Sequence, residues 1–224
     1  MILVPSDWIT IIGLFVTSVA FIAGLFQYRQ AQRWKALEFI SGEMKEFISS
    51  RDVQNAIFML EANRRPITFV TQFINKVDGD ERLVTVVVSD EMILSTLTYY
   101  LQNRSITKEE GLIRDTFNTF FFYLSNFNHY IQVFGLIKYS DLHPYLGYWL
   151  EILSEETDRK PSNFPEVIQN YLKIRRYDGV RQLIGHYKAY CAKHPAQRSQ
   201  QKLYEPIDLK TDVITKTNDK NKSV

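Results

Sequence analysis

KEEGLIRDTFNTFFFYLSNFNHYIQVF, residues 108–134, decides the fold. Phe117, Phe120, Phe121, Leu124, Phe127, Ile131 and Phe134 recur at threes and fours, the period of an α-helix. Phe122, Tyr123 and Tyr130 widen this face until most sides are apolar, the pattern of a helix at the centre of a bundle. Arg114, Asp115, Asn118, Asn126, Asn128 and His129 interrupt it too often for a membrane span. Thr107 precedes the helix and Glu110 follows three residues on. That is the spacing of a capping box, in which hydroxyl and carboxylate satisfy each other's free amides.

Reading outward toward the C-terminus, Gly135 stands where a helix should stop, and Ser140 or Asp141 where the next should be capped. HPYLGYWLEIL (143–153) reads as a short aromatic helix and DRKPSN (158–163) as a linker. Pro165 suits a helix's first turn. Val180, Leu183, Ile184, Tyr187 and Cys191 mark the buried face of a last helix. From 195 to 224 the composition turns polar, and this stretch is expected to be a disordered tail.

Toward the N-terminus, Ser89 with Asp90 and Glu91 opens a helix whose first turn favours acids. ITFVTQF (67–73) and RLVTVVV (82–88) are β-branched runs flanking VDGDE, and Asp-Gly between such runs predicts a small β-hairpin over 67–88. A short helix over 67–77 is the competing reading. Asn63 to Pro66 breaks the chain. Ser49 and Ser50 offer an N-cap for a helix buried through Val53, Ile57 and Leu60. Before it, Trp34, Leu37, Ile40, Met44, Phe47 and Ile48 predict a helical stalk.

Trp8 to Phe26, WITIIGLFVTSVAFIAGLF, carries no charge, Asn, Gln, His or Pro. Its nineteen residues would span about 28 Å, so it is expected to be a transmembrane anchor rather than a signal peptide or a core helix. Arg29, Arg33 and Lys35 follow it, and only Asp7 precedes it. The positive-inside rule then predicts a single-pass plasma-membrane protein, N-terminus outside and body in the cytoplasm. Gly13, Thr17, Ala20 and Gly24 share one face, a candidate surface for pairing with a second copy or another helix.

The expected architecture is therefore mostly α. It has an anchor at 1–28, a stalk and first helices at 29–62, a helical body with the hairpin at 63–194, and the tail. IRDTFNTFFFYLSNFNHYIQVFGLIKYSDLHPYLGYWL (113–150), with FQYRQAQRW (26–34), resembles a group of bacterial proteins of unknown function. The resemblance reaches from residue 8 to about 190 and implies an N-terminal transmembrane helix, a stalk and a small helical domain. It brings no catalytic residues, because its motifs concern packing and capping.

The net charge of +2 hides a layout. Residues 36–172 hold twelve Lys or Arg against nineteen Asp or Glu, a net −7. Residues 173–202 hold Lys173, Arg175, Arg176, Arg181, Lys188, Lys193, Arg198 and Lys202 against Asp178 alone, a net +7. With Arg29, Arg33 and Lys35, these bases are candidate contacts for anionic lipid or for nucleic-acid phosphate. A solvated face that pairs with the acidic body is the plainer reading.

Catalytic motifs are scarce, and whether the chain is an enzyme stays open. Arg181 and His186 have the Arg-four-His spacing similar to ribonucleases of the HEPN type, where His acts as acid or base and Arg holds phosphate charge. A basic surface helix explains the same pair. His129 and His143 have no third ligand at telling spacing, so no metal is expected. Glu109-Glu110 and Glu155-Glu156 are adjacent and do not face each other on a helix. No phosphate loop, nucleophile elbow or dinucleotide fingerprint appears, so no cofactor is expected. The lone Cys191 reads as a core residue. The function most consistent with these residues is a helical interaction or scaffold module.

Overall fold

The structure, a computed structural model, describes residues 5–72, 81–98, 105–132, 135 and 137–195. In chain order its elements are α1 (Pro5–Ser49), α2 (Arg51–Glu61), β1 (Arg64–Gln72), β2 (Glu81–Ser89), α3 (Asp90–Thr98), α4 (Lys108–Gln132), α5 (Tyr139–Ser154), α6 (Phe164–Ile174) and α7 (Asp178–Lys193). The mostly helical reading with one small hairpin holds. The Asp-Gly turn, Phe134 and the 196–224 stretch lie outside the described residues.

α4 is the centre of the body, packed against α2, α3 and α7. Phe117, Phe120, Phe121 and Leu124 are wholly buried. Phe122, which the sequence pattern adds to the core face, is instead 59% exposed. It lies one position beyond the buried stripe, on a flank left open by the described helices. The capping box forms as expected: Glu110 N–H donates to Thr107 Oγ1 at 3.2 Å, and Thr107 N–H donates to Glu110 Oε2 at 3.0 Å. Ser89 Oγ likewise accepts the Met92 amide at 3.3 Å to start α3.

One cap differs from expectation. Asp141 does not sit at the N-cap of α5. It lies three residues inside, and its carboxylate accepts the Lys138 amide at 3.0 Å. Ser50 occupies the N-cap of α2 without a side-chain bond, while the Ser49 hydroxyl donates backward to the Glu46 carbonyl at 2.9 Å.

Gly135 has φ +56°, the left-handed conformation that the stop after α4 requires. Arg176 has φ +58° at the end of α6. There the Tyr177 amide donates to the Leu172 carbonyl at 2.8 Å and the Arg176 amide to Lys173 at 3.2 Å. These two bonds make a Schellman ending, with arginine where glycine is usual. It lets the chain reverse so that α7 returns along α4. A Cβ on Gly179 would stand 3.2 Å from the Ser125 Cα, which fixes how closely α7 starts against α4. Val180, Leu183, Ile184, Tyr187 and Cys191 are buried, as the periodicity predicts.

β1 and β2 pair antiparallel, Arg64 opposite Ser89 through Gln72 opposite Glu81. Ile67, Phe69 and Val88 turn inward, while Leu83, Thr85 and Val87 turn outward. This is the period-two alternation of a half-buried strand pair.

α1 is one unbroken helix of 45 residues. Only its last third docks: Ile40, Met44 and Phe47 are buried, whereas Trp34 and Ile48 of the predicted stalk face are exposed. The expected transmembrane span over residues 8–26 is corrected, because no helix among the described residues is long and apolar enough to cross a membrane. Gln27, Arg29 and Gln30 close the apolar run at its C-terminal end. The single-pass plasma-membrane placement, N-terminus outside and body cytoplasmic, falls with the span.

Candidate functional site

The docked end of α1 is held by aromatic and carboxylate contacts. The Phe47 ring lies 5.8 Å from that of Phe120, 5.5 Å from Phe127 and 5.7 Å from Trp149. Such centroid distances are those of attractive, offset or edge-on ring pairs. Tyr130 donates its hydroxyl proton to Glu43 at 2.8 Å, and Tyr123 donates to Glu46 at 3.3 Å. Burial, then the Glu43 carboxylate, pushes the Tyr130 hydroxyl up to about 12, so it remains a donor.

Beyond this clamp the helix is bare. Leu14, Phe15, Val16, Val19, Phe21, Ile22, Leu25 and Phe26 are 46–72% exposed. Thr17 and Ser18 donate back to the Gly13 and Leu14 carbonyls at 2.8 Å, so their hydroxyls are satisfied within the helix. Gly13, Thr17, Ala20 and Gly24 are exposed with the rest, and a Cβ at Gly13 or Gly24 would meet nothing within 4 Å. A second backbone could approach closely there.

Arg181 and His186 do not come together. Five residues on one helix put them about 140° apart. Arg181 is paired with Asp178 at 3.1 Å, and His186 sits 3.4 Å from Gln132 of α4. Beside it Asn128 donates to Gln182 at 2.9 Å, so this seam is a hydrogen-bonded joint between α4 and α7.

His143 is buried, its Nδ1 3.2 Å from the Tyr139 hydroxyl and its ring 4.4 Å from Tyr190. Tyr190 in turn stacks on His194 at 4.4 Å. Burial first, then the nearby His194, holds His143 below the usual histidine range. Burial also raises the Cys191 thiol, which makes it a poor nucleophile. Among the described residues no three His, Cys, Asp or Glu converge as metal ligands.

The predicted basic contacts Lys173, Arg175, Arg176, Arg181, Lys188 and Lys193 are all exposed along α6 and α7. Arg29, Arg33 and Lys35 are exposed on α1, and the structure gives them no contact with the others. Arg198 and Lys202 lie outside the described residues.

In comparisons with known proteins, no family model, no curated protein and no solved structure matches the chain.

Sequence reasoning missed the polar groups that organise the body. Lys160, read as part of a linker, is buried and donates to Asp90 at 2.6 Å and to the Met59 and Ala62 carbonyls at 2.7 and 3.0 Å. Asn118 accepts the hydroxyls of Tyr171 at 2.7 Å and Tyr177 at 3.0 Å. Its place on the apolar face of α4 was the only available signal.

Proposed function

We propose that this chain is a helical interaction module whose α1 presents residues 13–26 as an apolar arm to an apolar helix of a partner protein. The observation that carries the reading is the exposure of eight large apolar side chains along one stretch, at 46–72%, beside a body whose core residues are near zero. Contiguous apolar surface of this kind is a mark of an interaction site. The face of Gly13, Thr17, Ala20 and Gly24 supplies the close approach that helix pairing uses. The clamp at Phe47 holds the arm to the body, so a partner on the arm is also positioned relative to the body.

A photo-crosslinking residue at Phe21, in the full chain in its own cells, tests this. The expected result is one adduct of defined mass. It should be lost when Gly13 and Gly24 are both replaced by isoleucine, and absent when the crosslinker stands at exposed Phe122. Crosslinking that is diffuse, or unchanged by the glycine replacements, would sink the reading.

The exposed bases of α6 and α7 favour a second reading, binding of a nucleic-acid phosphate backbone. RNA homopolymer binding should fall steeply with salt and weaken when Arg175, Arg176 and Lys188 become glutamine. Absence of binding at low salt would dismiss it.

A further inference from the structure

The hairpin carries one edge that is closed and one that is open. The hydrogen-bond phase of the pair is fixed by three observations. The Asp90 amide donates to the Asn63 carbonyl at 3.2 Å, which makes the position just before the ladder a bonded one. Alternation then makes Pro66 opposite Val87 and Thr68 opposite Thr85 non-bonded pairs. Pro66, which has no N–H, is tolerated there for that reason. The Thr68 and Thr85 hydroxyls lie 3.0 Å apart, as the closer side chains of a non-bonded pair allow.

It follows that the N–H and C=O groups of Pro66 and Thr68 point away from β2, and those of Leu83, Thr85 and Val87 point away from β1. On the β1 side the edge is blunted. Pro66 offers no donor, and buried Asn55 of α2 donates its amide to the Thr68 carbonyl at 3.2 Å. On the β2 side no third strand is paired among the described residues. Leu83 is 63% exposed and Val87 50% exposed, with exposed Thr85 between them. The strand ERLVTVVVS contains no proline and no lysine, and its two charges, Glu81 and Arg82, stand at its start, so its centre carries none of the side chains that usually close such an edge.

We propose that β2 pairs with β2 of a second copy of this chain, antiparallel about a two-fold axis at Thr85, to give a four-stranded sheet β1-β2-β2-β1. The register selects this occupant. Thr85 is the midpoint of Glu81–Ser89. Full overlap therefore sets Thr85 opposite Thr85, Leu83 opposite Val87 and Glu81 opposite Ser89. Every outward backbone group then meets an outward group of the other copy. Arg82 falls opposite Val88, so no two like charges share a position. The contact repeats the Thr–Thr pairing already present between β1 and β2, and a two-fold contact closes rather than extending into a fibre. The proposal does not depend on the α1 arm.

The test follows the mass of the full chain by sedimentation across a concentration series, with amide hydrogen exchange read at single residues. The wild type should reach twice the monomer mass. Exchange at Leu83, Thr85 and Val87 should slow by roughly tenfold or more as the dimer forms, and that at Val84 and Val86 should change little. Thr85→Lys sets two like charges face to face, and Thr85→Pro deletes a donor that the hairpin itself does not use. Both should remain monomeric, with Val86 exchange unchanged as the check that the hairpin is intact. A dimer unaffected by either substitution overturns the proposal by placing self-association elsewhere. A wild-type monomer whose three amides exchange freely at every concentration also overturns it, and leaves the edge to an extended segment of a different protein.

Discussion

The Lys160 ammonium lies 2.6 Å from the Asp90 carboxylate, with 1% and 8% of the two side chains exposed. Its other protons go to the last carbonyls of α2, and its charge lies 5.7 Å from the Phe164 ring centroid. One side chain thus ties together the end of α2, the start of α3 and the start of α6. Burial raises the Asp90 carboxyl and lowers the Lys160 ammonium, while each partner's charge opposes that shift in the other. Lys160→Met leaves a buried carboxylate and two carbonyls without their donor. It should cost about 3–5 kcal/mol, measured as a lowered urea midpoint at pH 7. Adding Asp90→Asn to it should recover part of that loss. A single variant as stable as the wild type would contradict this account.

His143 should make the fold sensitive to acid. Its folded pKa is lowered from 6.5, burial being the larger cause. Between the folded value and 6.5 the unfolded chain binds more protons than the native one, so stability rises with pH across that window. The contribution is complete above 6.5 and is lost as pH falls through the folded value. Thermal midpoints should fall from pH 7.5 to pH 5 in the wild type, and fall less in His143→Gln. Equal slopes in the two proteins would count against it.

Gly179 lets α7 start close against Ser125 of α4. Gly179→Ala would place a methyl 3.2 Å from backbone at Ser125, where no side chain can turn aside. Overpacking of this kind costs roughly 1–3 kcal/mol. The cost should appear as a lower denaturation midpoint together with faster amide exchange along the first turn of α7. Unchanged exchange there would show that the two helices separate freely.

Arg176 sits in the left-handed region that glycine adopts without strain. Arg176→Gly removes the Cβ from that position while keeping both bonds of the turn, and should stabilise the body by about 1 kcal/mol. Arg176→Val should do the reverse. Equilibrium unfolding of the two variants decides the point.

These features differ in how readily the chain declares them. α4 and α7 were legible because burial on one side repeats every third or fourth residue, and because Thr107 and Glu110 form a purely local cap. The hairpin was legible from its β-branched runs. The end of α6 was not, since Arg176 replaces the glycine that normally signals it. Lys160 was hidden for another reason: its partner is 70 residues away, and DRKPSN looks like any solvated linker until the fold brings Asp90 to it. The apolar run before Gln27 was read as a span from its length, its lack of charge and its flanks, but no helix among the described residues is long and apolar enough for one. The open edge of β2 depends on a hydrogen-bond phase that only the pairing register reveals.

The continuity of α1 has a mechanical meaning. No proline interrupts it between Asp7 and Ser49. Phe21 and Phe47 are thus linked by about 39 Å of helix without a proline hinge. A pull or twist at the tip acts as torque on a lever whose fulcrum is the ring of Phe47. The load is delivered straight to Phe120, Phe127 and Trp149, the rings at the middle of the body.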